Sequence, residues 1–142
     1  MVRGVWRLIK LRGASEVANF ILRNYSGKAV EVGAGYVPEV ALLIGQHMKI
    51  IATDKEKRNL DGLSVEDDDI FSPRKEIYEG ASILYSIRPP IEVQIAMGKL
   101  AAEIGADVLI RPLEDEIADL PGFTKILVNM GDARFYNFKL KS

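Results

Sequence analysis

Short runs of apolar residues alternate with amphipathic segments along most of the chain. Apolar, often β-branched runs bounded by turn residues are typical of buried parallel strands. Such runs lie at 29–32, 49–53, 63–65, 81–87 and 106–110. Between the first two runs, apolar residues recur at helical spacing, as at Val40, Leu43 and Ile44. This alternation predicts an α/β fold whose sheet is mostly parallel.

Capping residues indicate where the helices begin and end. Ser15 is a favoured N-cap and predicts a helix over 16–25. Gly105 suits the position just after a helix and ends one that starts at Pro90. The other predicted helices open at Pro38, span 73–79 and make about one turn within 114–120.

Two further segments complete the predicted sheet. Residues 55–62 are polar and predict a loop, with room for a one-turn helix, before the short strand at 63–65. Near the C-terminus, the runs 125–130 and 134–140 flank Gly131-Asp132, a pair that favours a tight turn. These two runs predict an antiparallel hairpin at the end of the sheet.

A glycine turn follows the first strand, and an acid ends the second. Gly33-Ala34-Gly35 lets the backbone turn sharply and approach a ligand, because glycine has no Cβ. A right-handed crossover brings this turn and Asp54 together at the carboxyl edge of the sheet. The amides of the turn can face a polar or anionic ligand, and the carboxylate can accept both hydroxyls of a ribose. The pattern predicts a nucleoside-cofactor site, and a βαβ unit without a ligand is the alternative.

The composition is that of an ordinary globular protein and excludes several kinds of chemistry. The 142 residues are 48% hydrophobic and 27% charged with a net charge of −1, which suits one domain over residues 1–142. Without cysteine, disulfides, thiolate metal sites and a cysteine nucleophile are excluded. No apolar run approaches the ~18 residues of a membrane span, and no signal-peptide pattern opens the chain. We therefore expect a cytoplasmic protein without a membrane partner.

The N-terminus is the one strongly basic stretch. Residues 1–14 form an arm that carries Arg3, Arg7, Lys10 and Arg12 and no acid. Such an arm could contact nucleic acid, an acidic membrane surface or a second subunit. The alternative is a terminal strand or helix that packs on the body and keeps its basic side chains in water.

Three consecutive acids raise the question of a metal site. Asp67-Asp68-Asp69 follow the third predicted strand. Successive side chains on an extended segment point to opposite faces, so these carboxylates cannot all converge on one ion. We therefore predict no metal site.

Arg88 and Arg111 each come directly after an apolar strand and directly before a proline. Both would face the crevice beside the glycine turn, where ligands bind in open α/β sheets. Arginine suits phosphate and carboxylate groups, so the two residues are candidates for binding an anionic substrate. The alternative is that Arg88 pairs with a carboxylate such as Glu31 or Asp69.

The segment Glu31-Val32-Gly33-Ala34-Gly35 resembles the first motif of the class I S-adenosylmethionine-dependent methyltransferases. The third glycine common in that motif is missing, because Val37 stands in its place. The resemblance implies that Glu31 lies near the cationic end of the cofactor, that Asp54 binds ribose and that Asp68 or Asp69 binds the adenine amino group. The predicted cofactor is S-adenosylmethionine, and the predicted cofactor-binding residues are Glu31, Gly33, Ala34, Gly35, Asp54, Lys55, Asp68 and Asp69.

The loop after the fourth strand resembles, in part, an Asn/Asp-Pro-Pro-aromatic sequence that holds the target amine in many methyltransferases. Here Ser86-Ile87-Arg88-Pro89-Pro90 keeps both prolines but lacks the carboxamide or acid and the aromatic residue. Ser86 and Arg88 are the candidate catalytic residues. Arg88 and Arg111 are the candidate substrate-binding residues.

Over approximately residues 16–140, the chain is similar to an uncharacterised archaeal family with a methyltransferase-like fold. The resemblance is carried by VEVGAG, TDK, DDIFSPRKEIYEGA, LYSIRPP and IRPL. It implies a three-layer Rossmann-like α/β sheet, mostly parallel, that ends in an antiparallel hairpin. Two functions remain open: a small methyltransferase of unknown acceptor, or a non-catalytic nucleotide- or cofactor-binding module that acts as a sensor or subunit.

Overall fold

The computed structural model describes residues 11–142, which fold around one mixed β-sheet with helices on both faces. The strands are β1 (Lys28–Val32), β2 (Lys49–Asp54), β3 (Arg58–Leu60), β4 (Leu63–Asp67), β5 (Ile83–Ile87), β6 (Asp107–Arg111), β7 (Phe123–Met130) and β8 (Ala133–Leu140). The helices assigned within these residues are α1 (Ala14–Asn24), α2 (Glu39–Gly45), α3 (Lys75–Tyr78) and α4 (Ile91–Ile104).

The strand order across the sheet is β3-β4-β2-β1-β5-β6-β8-β7. The central strands β4, β2, β1, β5 and β6 are parallel, whereas β3, β8 and β7 each pair with a neighbour in antiparallel fashion. The chain moves from β1 to one side through β2 and β4, and then to the other side through β5 and β6. The point between β1 and β5 is therefore the topological switch, where open α/β sheets bind ligands. The predicted fold class is confirmed.

The sheet separates two apolar layers, as the alternation of side chains along a strand requires. On one face, α1 and α2 pack against Ile83, Tyr85 and Leu109. On the other face, α4 packs against Leu84 and Val108. All five of these strand side chains are fully buried. Burial of each such side chain stabilises the fold by roughly 1.5–3 kcal/mol, and the two layers hold the strand ends in a fixed geometry.

The polar segment after β2 differs from its prediction, because residues 58–60 form strand β3 instead of a loop with a one-turn helix. Arg58 pairs with Val65, and Leu60 pairs with Leu63. The turn between the two strands is Asp61-Gly62, whose φ values are 52° and 92°. Two positive φ values match the two-residue hairpin turn for which Asp-Gly is a strong signal. The short strand is stabilised by this turn, which hydrophobic patterning alone does not show.

The first helix begins two residues earlier than predicted, and Ser15 is not its N-cap. Helix α1 starts at Ala14, and Gly13 stands at the capping position with φ of 79°. A Cβ at Gly13 would lie 2.8 Å from the Cβ of Ala133, so only glycine fits this close approach. The Ser15 hydroxyl instead donates to Glu16 Oε1 at 3.0 Å. Close packing of the chain on β8 sets the start of the helix here.

Residues 114–120 form a loop that opens with a turn, instead of the predicted helical segment. The amide of Glu116 donates to the carbonyl of Leu113 at 3.2 Å, and no helix follows. The buried side chain of Gln94 on α4 replaces the missing helical hydrogen bonds. Its Nε2 donates to the carbonyl of Glu116 at 2.8 Å, and its Oε1 accepts from the amide of Ala118 at 2.8 Å. The side-chain amide of Gln94 therefore provides hydrogen-bond partners for the backbone of this loop, as buried backbone groups require.

Most of the predicted basic arm lies outside the described residues. Of its arginines and lysine, Arg12 is described, and its side chain lies 3.1 Å from Asp132 at the exposed β7–β8 turn. The roles predicted for the arm, including nucleic-acid contact, stay predictions. Within residues 11–142, no helix combines the length and the apolar character needed to cross a membrane.

Candidate functional site

A cavity of about 940 Å³ opens at the carboxyl ends of β1, β2 and β4. It is lined by residues 32–33, 53–55, 67–72, 74, 90 and 92–93. The cavity lies beside the topological switch and has the volume of a small-molecule site. Of the predicted cofactor-binding residues, it brings together Gly33, Asp54, Lys55, Asp68 and Asp69.

The carboxylate of Asp54 stands at the tip of β2 and is held in place by three donors. Its Oδ2 accepts from the amide of Gly35 at 2.9 Å and from the Arg58 guanidinium at 2.5 Å. Its Oδ1 accepts from the amide of Lys55 at 2.9 Å. Burial opposes ionisation, but the hydrogen bonds from Arg58, Lys55 and Gly35 outweigh it and hold the pKa of Asp54 below its usual value. The carboxylate is therefore ionised and keeps acceptor capacity on Oδ1.

Arg58 is a central residue of the site that the sequence reasoning missed. Its guanidinium also donates to the carbonyl of Gly35 and lies 4.5 Å from the centre of the Tyr36 ring. Its side chain is 17% exposed, and its Nε is buried without a hydrogen-bond partner. Recognition of the Asp61-Gly62 turn could have found this residue, because the turn folds β3 back toward the end of β2.

The glycine turn adopts the geometry predicted for it. Gly33 and Gly35 have φ values of 70° and 60°, a region that side chains other than glycine rarely adopt. The amide of Ala34 donates to the carbonyl of Thr53 at 2.8 Å and ties the turn to β2. Gly33 lines the cavity, whereas Ala34 is buried behind it and contributes no lining.

Glu31 lies beneath the turn and does not line the cavity. Its carboxyl group is fully buried on the face of the sheet that carries α1 and α2, where Tyr85 donates to Oε1 at 2.6 Å. Burial, with a smaller contribution from the nearby Asp54 charge, raises the pKa of Glu31 to about 8 although the hydrogen bond from Tyr85 lowers it. Burial, together with the Glu31 charge, also holds the pKa of Tyr85 well above its usual value. The structure thus places a mostly protonated carboxyl group behind the site.

Asp68 and Asp69 are close in sequence but bind different partners. The side chain of Asp68 is 2% exposed, and it accepts from Tyr78 at 2.6 Å and from the amide of Arg74 at 2.9 Å. Asp69 is exposed, and its Oδ1 accepts from the amide of Phe71 at 2.9 Å. Asp68 therefore fixes the loop, whereas Asp69 keeps a carboxylate oxygen available at the cavity wall.

The candidate catalytic and substrate-binding residues lie outside the cavity lining. Ser86 is buried, and its hydroxyl donates to the carbonyl of Val32 at 2.6 Å. Arg88 directly follows β5 and Arg111 ends the neighbouring β6, and the amide of Arg88 donates to the carbonyl of Arg111 at 2.6 Å. Burial, followed by the charge of Arg88, lowers the pKa of Arg111, whose side chain donates to the carbonyl of Arg12.

The alternative partners of Arg88 are not observed in the part of the chain that the structure describes. No ion pair joins Arg88 to Glu31 or to Asp69 there. Arg88 is exposed and has φ of 56°. The two arginines therefore form a positive pair at the same sheet edge, separate from the cavity.

The cavity itself is acidic. Its lining carries five carboxylates, from Asp54, Asp67, Asp68, Asp69 and Glu92. The cationic groups of the lining are Lys55 and Arg74. Even with Arg58 counted behind Asp54, negative charge is in excess. Such a cavity attracts a cationic ligand and repels a polyanionic one.

Solved structures with this fold support the same architecture. A candidate S-adenosyl-L-methionine-dependent methyltransferase from Methanococcus maripaludis is 11% identical, with 89% of this chain and 84% of that chain covered and a TM-score of 0.61. MtNAS in complex with MTA and tNA is 16% identical, with a TM-score of 0.58 over 87% of this chain. This chain spans 57% of the length of MtNAS. These similarities show a methyltransferase-like fold.

Relatives at higher identity come from archaea, as the sequence predicts. A UPF0146 protein of Archaeoglobus fulgidus is 39% identical over 85% of this chain and 91% of its own length. A UPF0146 protein of Methanothermobacter thermautotrophicus is 38% identical over 87% of this chain and 93% of its own length. The pattern of the uncharacterised protein family UPF0146 matches residues 14–140. The chain therefore belongs to the UPF0146 family.

Proposed function

We propose that the cavity binds S-adenosylmethionine and that the protein acts as a small methyltransferase. The observation that carries the proposal is the acidic cavity at the topological switch, with Asp54 and Gly33 on its wall. The fold is shared with a candidate S-adenosyl-L-methionine-dependent methyltransferase.

Charge favours this cofactor over other nucleosides. S-adenosylmethionine carries a sulfonium and an ammonium group, whereas NAD and ATP bring negatively charged phosphates. The excess of carboxylates in the lining stabilises bound S-adenosylmethionine and disfavours the binding of NAD and ATP. Pro38 also replaces the third glycine that a pyrophosphate-binding turn requires.

The proposal gives four residues at or behind the cavity a role that their contacts allow. Asp54 accepts the ribose hydroxyls, and Asp69 offers its carboxylate to the adenine amino group. Asp68 acts on the loop instead, because its oxygens already bind Tyr78 and Arg74. Glu31 supports the glycine turn from behind, since its buried carboxyl group does not reach the cavity lining.

The second function is a non-catalytic module that binds the same cofactor. The observation that favours it is the placement of Ser86 and Arg88, neither of which lines the cavity. The Ser86 hydroxyl is buried and already donates to a backbone carbonyl. Neither residue is therefore positioned to act on a methyl group held there.

Calorimetric titration tests the cofactor. We expect S-adenosylmethionine and its demethylated product, S-adenosylhomocysteine, to bind more tightly than NAD or ATP. Asp54→Asn should weaken S-adenosylhomocysteine at least tenfold, because each hydrogen bond to a charged group contributes about 1.5–3 kcal/mol. Asp61→Asn is the matched control, since Asp61 is exposed in the β3–β4 turn and asparagine tolerates its φ of 52°. Preferential binding of NAD or ATP contradicts the proposal.

A further inference from the structure

We propose that a trough beside the cofactor cavity is the acceptor subsite and binds an amine that carries a flat apolar group. The trough is a second cavity of about 410 Å³ between α4 and the 70–75 loop. It shares Ile70, Phe71 and Glu92 with the first cavity, so the two lie side by side. The inference rests on the proposed function, because it places an acceptor next to the methyl donor.

The floor of the trough is one stripe of helix α4. Glu92, Ile95, Ala96 and Lys99 contribute to it, and their spacing puts them on the same side of the helix. Ile95 is 38% exposed and adds apolar surface to the trough, on the helix side that also carries Ala96. The helix therefore presents an apolar surface bounded by an acid at the cavity end.

The wall of the trough carries an exposed aromatic ring on a loop whose backbone is held by hydrogen bonds. Phe71 is 62% exposed. Its amide donates to Asp69 Oδ1 at 2.9 Å, and the amide of Ser72 donates to the Asp69 carbonyl at 2.9 Å. These bonds form a turn at Asp69 that holds the Phe71 backbone. An exposed ring on this loop offers a flat partner a stacking surface.

The charges along the trough favour a cation at the end nearest the cofactor. Lys75 and Glu103 neutralise each other at the far side through an ion pair of 2.7 Å. Lys99 stands seven residues beyond Glu92, roughly 10 Å along the helix. In the described part of the chain, Glu92 makes no ion pair, and it lines both cavities. An ammonium group is therefore stabilised beside Glu92, with the apolar part of the ligand between Phe71 and Ile95.

The inference also accounts for the sequence around Pro89-Pro90. The first acid after Pro89-Pro90 is Glu92, in the first turn of α4. Glu92 reaches the cavity, whereas Arg88 does not. The residue that positions the acceptor is therefore Glu92.

The probe is tyramine, a phenol ring with a primary ammonium group, titrated into the full chain with saturating S-adenosylhomocysteine. Backbone amide shifts in NMR spectra report where it binds. We expect the largest shifts at Phe71, Glu92 and Ile95. The counter-probe, 3-(4-hydroxyphenyl)propionate, has the same ring with a carboxylate, and we expect it to bind at least fivefold more weakly.

Two variants and a control separate charge from shape. Glu92→Gln should weaken tyramine about fivefold, the effect of a partly exposed ion pair. Phe71→Ala should weaken both ring probes about fivefold. Glu76→Gln removes the same charge from an exposed position of α3 outside both cavities and should change nothing.

Different experimental outcomes would refute the acceptor subsite and the proposed cofactor. If S-adenosylhomocysteine binds but tyramine shifts no trough residue, or if Glu92→Gln leaves tyramine affinity unchanged, the acceptor subsite is refuted. If tyramine binds the trough with the expected variant effects and S-adenosylhomocysteine does not bind, the trough stands as an amine site and the cofactor proposal falls.

Discussion

Removal of the Arg58 side chain should destabilise the fold and increase the affinity for the cofactor. In the structure, Asp54 Oδ2 already accepts from Gly35 and Arg58, and Oδ1 accepts from Lys55. A carboxylate offers about four acceptor positions, so one remains free on Oδ1. A ribose with two hydroxyl donors must therefore displace a donor that is already bound. Arg58 is the only one of the three that can leave by rotating a side chain.

The magnitude follows from two of the contacts that the variant removes, those with Asp54 and Tyr36. The Arg58–Asp54 pair is 2.5 Å long with side chains 17% and 23% exposed, so it contributes about 1–2 kcal/mol to folding, discounted for partial screening. The contact of Arg58 with the Tyr36 ring adds about 0.5–1 kcal/mol. Arg58→Ala should therefore destabilise the fold by about 2 kcal/mol. Because the ligand no longer displaces the guanidinium, its affinity should rise by about 1 kcal/mol, roughly fivefold.

Thermal denaturation and calorimetry with S-adenosylhomocysteine measure the two effects separately. The control is Arg134→Ala, which removes an exposed arginine whose 3.3 Å pair with Asp115 lies elsewhere on the surface. A fall in affinity for Arg58→Ala would show that the guanidinium contacts the ligand directly. An unchanged affinity would place the ribose away from Asp54. Either result refutes the reasoning.

Two further predictions concern groups outside the cavity lining. Because Glu31 has a folded pKa of about 8 and an unfolded value near 4.5, the folded state holds the proton that the unfolded state loses between these values. The free energy of unfolding should therefore fall as pH rises from about 5 to 8, by up to about 1.4 kcal/mol per pH unit, and level off above pH 8. Glu31→Gln should flatten this slope in denaturation curves measured across that range. An unchanged slope would contradict the raised pKa of Glu31. Arg111→Ala should lower Tm by about 3 °C because it removes the hydrogen bond to the Arg12 carbonyl. Arg88→Ala should leave Tm unchanged or raise it, because it removes a positive charge next to Arg111. If instead both variants keep their Tm and weaken phosphate binding in a titration, the two arginines form the anion site that the sequence predicts.

The parallel core of the fold could be predicted from the sequence because its signals are local and strong. Each central strand is an apolar run bounded by turn residues, and the glycine turn and Asp54 are brought together by the crossover rule alone. The adjacency of Arg88 and Arg111 follows from the same rule and is confirmed. These features depend on backbone topology, which patterning determines.

The composition of the site was harder to predict because it depends on where side chains point. Arg58 belongs to a strand that only the Asp61-Gly62 turn reveals, so its contact with Asp54 could not be derived from the polar run alone. Glu31 belongs to the motif by sequence but is turned toward Tyr85 and buried. Glu92 was overlooked because helical spacing identifies the buried face of α4 and says little about which exposed residue borders a cavity.

The switch between β1 and β5 also has a consequence for how the protein folds. One wall of the cavity comes from the carboxyl ends of β1 and β2, which α2 connects. The paired residues of these two strands are about twenty positions apart in the sequence, as Lys28 and Lys49 are. The opposite wall, at Pro90 and Val93, is placed only when β5 pairs with β1, which joins Ala29 to Ile83. Closing the longer loop costs more entropy and is slower than the local pairing. During refolding, the β1–α2–β2 unit should acquire hydrogen-exchange protection first, and ligand binding should return only with protection of β5.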